Sequence, residues 1–285
     1  MKLFTKYYAD IIIKALQEDL GSGDITTNSV ITTKTRARGI IRAKQEGIVC
    51  GQSVARDTFR HLNRNCRYVI KVRDGQRVRR GTVIAEIKSD LKTLLSGERV
   101  ALNFLMQLSG ISTLTSEFVR AVKGRRVTIL DTRKTTPGLR MLQKYAVSCG
   151  GGENHRIGLY DMYLIKDNHI ESAGSIAAAI EACLETRGRR RLKIEVETKS
   201  LAEIREALKY NIERIMLDNM TPALMKKACL LIRKTNPKIE IEASGNVRLG
   251  NVRKIAQTGV DYISIGGLTH SAPSLDLSME IIRNG

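Results

Sequence analysis

Along the second half of the chain, short β-branched apolar runs alternate with longer stretches whose apolar positions recur at helical spacing. The runs 127–130, 162–165, 192–197, 213–217, 238–243 and 261–265 read as strands, and 137–149, 173–187, 200–209, 221–235 and 248–258 read as the helices between them. Helix starts are signalled locally. Ser200 with Glu203 fits a capping box, and Thr136-Pro137 and Thr221-Pro222 each place a capping threonine before a proline suited to the first helical turn. Strands that are apolar on both faces and alternate with helices demand a parallel sheet covered by those helices. An α/β barrel is the leading architecture and an open doubly wound sheet the alternative. No GxGxxG follows the first strand, which argues against a dinucleotide fold.

The first half reads differently. Residues 4–20 form an amphipathic helix, with Ile11, Ile12, Ala15, Leu16 and Leu20 on one side, closed by Gly21-Ser22-Gly23-Asp24. From Val30 to Ile87 the apolar runs are short, as in Gly39-Ile40-Ile41 and Ile48-Val49-Cys50, and Asp74-Gly75 and Gly81 mark turns between strands. Leu91 to Val122 is helical, with Ser96 as a candidate cap and a break expected at Ser109-Gly110. Arg99, Asn103 and Gln107 share one polar face of that helix, which by spacing alone faces solvent. A domain boundary is expected where the regular βα text begins.

Composition narrows the class. Apolar residues make up 42% and charged residues 27% of 285, an ordinary globular balance. Five cysteines, odd in number and without a CxxC, indicate neither a disulfide framework nor a zinc site, so a cytoplasmic setting is expected. No signal peptide and no apolar run of membrane-spanning length is read. The net charge of +19 favours anionic partners. Between Lys34 and Arg80 alone there are fourteen lysines and arginines against three acids. Aromatics at 4% and the lack of a recognition motif turn that charge toward small anions rather than nucleic acid.

The candidate chemistry lies just past the strands, where a barrel gathers its loops on one rim. The strand ends are Asp131-Thr132-Arg133-Lys134, Lys166-Asp167-Asn168, Glu197, Asp218-Asn219, Ser244-Gly245-Asn246 and Gly266-Gly267. Arg133, Lys134, Arg156 and Lys166 supply fixed positive charge for carboxylates or phosphates. Glu197 and Asp218 suit sugar hydroxyls or a hard cation such as Mg²⁺ brought by phosphates. Glu195 faces the same side as Glu197 under strand alternation, so the choice between Glu195 and Glu197 stays open. The two glycine-containing ends, Ser244-Gly245-Asn246 and Gly266-Gly267, free backbone N–H groups for a phosphate. Of the histidines, His155 and His270 are placed for ligand contact, His169 for ordering its loop, and His61 on the surface. Cys149 reads as a small buried residue.

Several segments together carry a specific resemblance: Gly97-Glu98-Arg99-Val100-Ala101-Leu102-Asn103, Asp131-Thr132-Arg133-Lys134-Thr135-Thr136-Pro137-Gly138-Leu139-Arg140, Gly151-Gly152-Glu153-Asn154-His155-Arg156, Leu164-Ile165-Lys166-Asp167-Asn168-His169-Ile170 and Ile265-Gly266-Gly267-Leu268-Thr269-His270. With these the chain resembles the quinolinate phosphoribosyltransferases, or carboxylating nicotinate-nucleotide pyrophosphorylases. The resemblance implies a type II phosphoribosyltransferase-like α/β barrel over residues 111–270 and an N-terminal α/β sandwich domain over 1–110, with 271–285 packing on the latter. It implies transfer of phosphoribosyl from phosphoribosyl pyrophosphate (PRPP) to quinolinate with loss of CO₂, and Mg²⁺ accompanying PRPP. By position, Arg133, His155, Arg156 and Lys166 correspond to the quinolinate site. Lys134, Glu197 and Asp218 correspond to the ribose and pyrophosphate site. Ser244, Gly245, Gly266 and His270 correspond to the 5′-phosphate site. Thr132, Asn246 and Gly267 flank these groups, and Arg99 resembles an arginine supplied by the partner of a homodimer with shared sites. The rivals are a nicotinate-using or molybdenum-transport-associated relative and, from another class, a nucleic-acid binder.

Overall fold

The computed structural model describes residues 3–33, 35–188 and 192–283. In chain order come α1 (Ala9–Leu20), α2 (Ile25–Val30), β1 (Arg36–Ala43), β2 (Gly47–Ile48), α3 (Gln52–Leu62), β3 (Arg67–Ile70), β4 (Arg77–Val78), β5 (Val83–Asp90) and α4 (Leu91–Ala121). There follow β6 (Thr128–Leu130), α5 (Arg140–Cys149), β7 (Tyr163–Ile165), α6 (Asp167–Ala173), α7 (Ile176–Arg187), β8 (Ile194–Thr198) and α8 (Leu201–Ala207). The chain closes with β9 (Arg214–Asp218), α9 (Pro222–Thr235), β10 (Glu240–Ser244), α10 (Leu249–Ala256), β11 (Tyr262–Ser264), α11 (Gly267–His270) and β12 (Leu277–Arg283). It divides into two compact units. One comprises Met1–Ser116, Lys134–Gly151 and Gly267–Gly285, the other Glu117–Arg133 and Gly152–Gly266.

The first unit holds an antiparallel sheet in the order β12-β1-β5-β3. The C-terminal strand pairs along β1 from Ala37–Arg283 to Ala43–Leu277, so the tail completes this sheet. Its buried side chains, among them Ile41, Ile84 and Ile87, join Phe59 of α3 and Leu94 and Leu105 of α4 in one core. Each such side chain contributes on the order of 1.5–3 kcal/mol by leaving water. Three local expectations change here. Ser96 does not cap α4. Asp90 does, accepting from Thr93 N–H at 2.9 Å and Thr93 Oγ1 at 2.7 Å, while Ser96 Oγ donates to Asp24 Oδ2 at 3.1 Å inside the helix. The break at Ser109-Gly110 is absent, because α4 runs continuously from Leu91 to Ala121. Gly110 is there for contact instead: a Cβ would overlap the carbonyl oxygen of Pro273. Finally, Thr136-Pro137 does not start α5. Gly138 turns left-handed at φ +79°, the helix begins at Arg140, and Thr136 is held by Gln143 through two hydrogen bonds of 2.9 Å.

The second unit is the parallel α/β domain, with strand order β6-β11-β10-β9-β8-β7. Its strands match the expected runs to within two residues, and Glu153 adds a parallel bridge to Leu130 beside β6. Thr221 caps α9, accepting from Leu224 N–H at 3.3 Å, and Ser200 caps α8, accepting from Glu203 N–H at 3.2 Å. Residues of β8 are buried throughout, Glu195 and Glu197 included. Among the described residues no helix is long and apolar enough to cross a membrane.

Candidate active site

Parallel strands deliver their last residues to one edge. In the second unit that edge carries Thr132 and Arg133 after β6, Lys166 after β7, Glu197 near the end of β8, Asp218 at the end of β9, Ser244 at the end of β10 and Gly266 after β11. Asp131 is fully buried and organises the neighbouring loop. Its Oδ1 accepts from His155 N–H at 2.9 Å and its Oδ2 from Asn154 Nδ2 at 2.7 Å. This carboxylate folds Asn154-His155-Arg156 back toward β6. Arg156 is then pinned by Nη1 donating to Met162 O at 3.1 Å. Burial, and after it the Arg133 guanidinium, holds Arg156 below the usual arginine range. Fixed guanidiniums at this edge suit a carboxylate or phosphate.

His155 lies below this surface, with its ring turned inward. Nδ1 accepts from Arg156 N–H at 2.8 Å, and Nε2 lies 3.0 Å from Glu195 Oε2 and 3.4 Å from Glu242 Oε2. Both glutamates are wholly buried. Arg214 supplies a countercharge, donating from Nη1 to Glu242 Oε2 at 3.0 Å and stacking 4.2 Å over the Tyr262 ring. The three ligand atoms of His155, Glu195 and Glu242 fall within 4.8 Å of one another, a spacing that a cation can use. The Arg214 guanidinium already fills that electrostatic role.

Strand alternation leaves Glu195 and Glu197 on one side, and depth separates them. Glu195 meets His155 in the interior, while Glu197 stands nearer the edge and accepts from Lys166 Nζ at 3.1 Å. Lys166 itself is half-exposed, and its backbone N–H donates to His169 Nδ1 at 2.9 Å, so His169 orders this loop. Asp218 is held by Asn219, whose Nδ2 donates to Asp218 Oδ2 at 2.8 Å. The acids of β8 and β9 offer hard oxygen donors on adjacent strand ends, a set that fits Mg²⁺ carried by a pyrophosphate. Ser244-Gly245-Asn246 follows on the next strand, with Gly245 at φ +92°.

Lys134, Gly267 and His270 belong to the first unit. There, Lys134 O accepts from Thr269 Oγ1 at 2.6 Å, which fixes the Lys134 backbone beside α11, and His270 is exposed with Nδ1 2.6 Å from Ser271 Oγ. Arg99 and Asn103 are exposed on α4 and Gln107 is half-buried. An apolar groove of about 510 Å³ runs along β7 and α7, and of the edge residues its lining includes Arg156. Sequence reasoning missed Arg214, Glu242 and the scaffolding role of Asp131. A charge inside an otherwise apolar buried strand was the available signal.

An α/β domain whose strand ends carry fixed cations, acids and glycine-containing loops has the make-up of an enzyme site for anionic substrates. Comparison with known proteins gives the particular family. Residues 24–109 match the quinolinate phosphoribosyl transferase N-terminal domain and residues 111–280 its C-terminal domain. A probable nicotinate-nucleotide pyrophosphorylase [carboxylating] of Synechocystis is 46% identical, covering 94% of this chain and 90% of that protein. The corresponding Bacillus subtilis protein is 44% identical over 93% of this chain and 90% of its own length. The crystal structure of NadC from Streptococcus pyogenes superposes with a TM-score of 0.94 at 37% identity, covering 100% of both chains. The chain belongs to the quinolinate phosphoribosyltransferase family.

Proposed function

We propose that the charged strand ends of the parallel domain are where two polyanionic substrates meet. The activity is that of the family: the phosphoribosyl group of PRPP passes to quinolinate with decarboxylation, giving nicotinate mononucleotide, pyrophosphate and CO₂ for NAD biosynthesis. The observation that carries the site is the Asp131 carboxylate, which turns the Asn154-His155-Arg156 loop back to the end of β6, where Arg133 follows. Quinolinate bears two adjacent carboxylates, and neighbouring guanidiniums match them bidentately. Lys166 adds a point charge beside them, and His155 acts from below by holding Arg156 N–H in place.

Glu197 and Asp218 serve the ribose hydroxyls. The same two residues would hold Mg²⁺ accompanying PRPP, which supplies charge neutralisation for the departing pyrophosphate. Ser244, Gly245 and Asn246, with Gly266, take the 5′-phosphate. The roles of Lys134, Gly267 and His270 rest on the resemblance alone. In the transfer, the bond from the anomeric carbon to pyrophosphate breaks through an oxocarbenium-like state, and the pyridine nitrogen forms the new bond. The fixed geometry of both substrates supplies the proximity contribution, and the cations stabilise developing charge. The carboxylate beside the ring nitrogen then leaves as CO₂, its electron pair remains on the ring carbon, and a proton takes its place. The enzyme works as a homodimer in which Arg99 of one subunit completes the edge of the other. Five cysteines, all free, suit a cytoplasmic setting. The test is formation of nicotinate mononucleotide from quinolinate and PRPP. Preference for nicotinate as acceptor would overturn the assignment of the paired arginines to two carboxylates.

A further inference from the structure

Among the described residues, two that are not glycine have positive φ: Asn219 at 53° and Asn246 at 52°. They follow the neighbouring strands β9 and β10, whose last residues, Asp218 and Ser244, pair in register. The left-handed region is unfavourable for any residue with a Cβ, and asparagine tolerates it better than most. Asn219 is exposed, so core packing does not compensate for its conformation. Its hydrogen bonds do. Asn219 N–H donates to Ser244 O at 2.9 Å, Nδ2 donates to Asp218 Oδ2 at 2.8 Å, and Oδ1 accepts from Asn246 Nδ2 at 3.0 Å. The chain of amides continues outward. Asn246 O accepts from Asn251 Nδ2 at 3.0 Å, and Asn251 Oδ1 accepts from Arg248 N–H at 2.8 Å. Gly245 makes the approach possible, since a Cβ there would overlap Asn219 Oδ1.

We propose that Asn219 is a positioning residue for PRPP: it ties the Asp218 carboxylate to the Ser244-Gly245-Asn246 loop, so that the ribose and the 5′-phosphate meet one preset surface. The inference rests on the reading that Asp218 and this loop serve PRPP. With Oδ2 engaged by the amide, Oδ1 is the oxygen presented to the substrate, and its direction is fixed before binding. The strained backbone at both asparagines is what this orientation requires.

Asn219→Gly is the discriminating variant, because glycine keeps the left-handed backbone without strain while removing the amide. It should fold with an unchanged or raised Tm. Its KM for PRPP should rise roughly tenfold, the scale of one hydrogen bond to a charged group, with kcat at saturating PRPP and the quinolinate KM nearly unchanged. Calorimetric titration of PRPP without quinolinate should show the same loss. Asn219→Asp, which sets a second carboxylate against Asp218, should lose more, and Asn246→Gly less. Asp218→Asn separates the two levels of the argument. If it leaves PRPP binding intact, the reading of Asp218 fails and the inference with it. If Asp218→Asn weakens PRPP binding but folded Asn219→Gly does not, the positioning role alone is overturned. An equal rise in both substrate constants for Asn219→Gly marks general damage and also overturns it.

Discussion

At the residue scale, the buried group around His155 sets a pH dependence. Burial, then the Glu242 carboxylate, pushes Glu195 up to about 7. Burial opposes charge on His155, and the hydrogen bonds of Glu195 and Glu242 favour it. Glu195 is raised above its ordinary range, so its contribution is fully present below the unfolded pKa and is lost as pH rises through the folded one. His155 Nδ1 accepts from Arg156 N–H and cannot also carry a proton, so we assign the extra proton of the cluster to Glu195. Stability should therefore fall as pH rises from roughly 4.5 through 7, following Glu195. Glu195→Gln should flatten that slope in urea unfolding series, and an identical slope in the variant would contradict the assignment. At this scale the sequence was legible at the edge and opaque beneath it. Arg133, Lys166 and Asp218 announce themselves because charge follows an apolar run, whereas Glu197 shares its strand face with Glu195 and only depth separates the two. Arg214 and Glu242 lie inside runs, where only their partners across β8, β9 and β10 show what neutralises them.

At the element scale, strand runs in the parallel domain were read within two residues because their β-branched apolar residues recur at regular intervals between helical stretches. Helix boundaries were read less well wherever a tertiary contact outweighed a local signal. Ser109-Gly110 has the composition of a break, yet α4 passes through it without interruption. The glycine is required by the Pro273 carbonyl, which no local pattern encodes. Gly110→Ala should therefore destabilise the protein, although alanine is the better helix former. Overpacking of this kind costs about 1–3 kcal/mol, visible as a lowered Tm. A raised Tm would show that the tail moves aside at no cost. Gly138 worked in the opposite direction: its left-handed turn cancelled the start that Thr136-Pro137 promised.

At the scale of the whole molecule, a net charge of +19 has the sign that draws anions toward a protein surface. Assembly adds a prediction of its own. Arg99 stands on an exposed polar face of α4, and in a two-fold dimer each subunit can lend it to the other. Inactive Arg99→Ala and Lys166→Ala subunits refolded together should give heterodimers with one intact pocket and partial activity, which either homodimer lacks. Inactive heterodimers would place Arg99 outside the partner's site. The central claim is that the strand-end cations hold quinolinate for PRPP-dependent decarboxylation. The most direct measurement is release of labelled CO₂ from quinolinate marked in the carboxylate beside the ring nitrogen, comparing the intact protein with Lys166→Ala of unchanged fold. The account predicts release that requires PRPP and falls at least about a hundredfold in the variant, as when one preorganised stabilising charge is removed. Release without PRPP, or undiminished in Lys166→Ala, would contradict it.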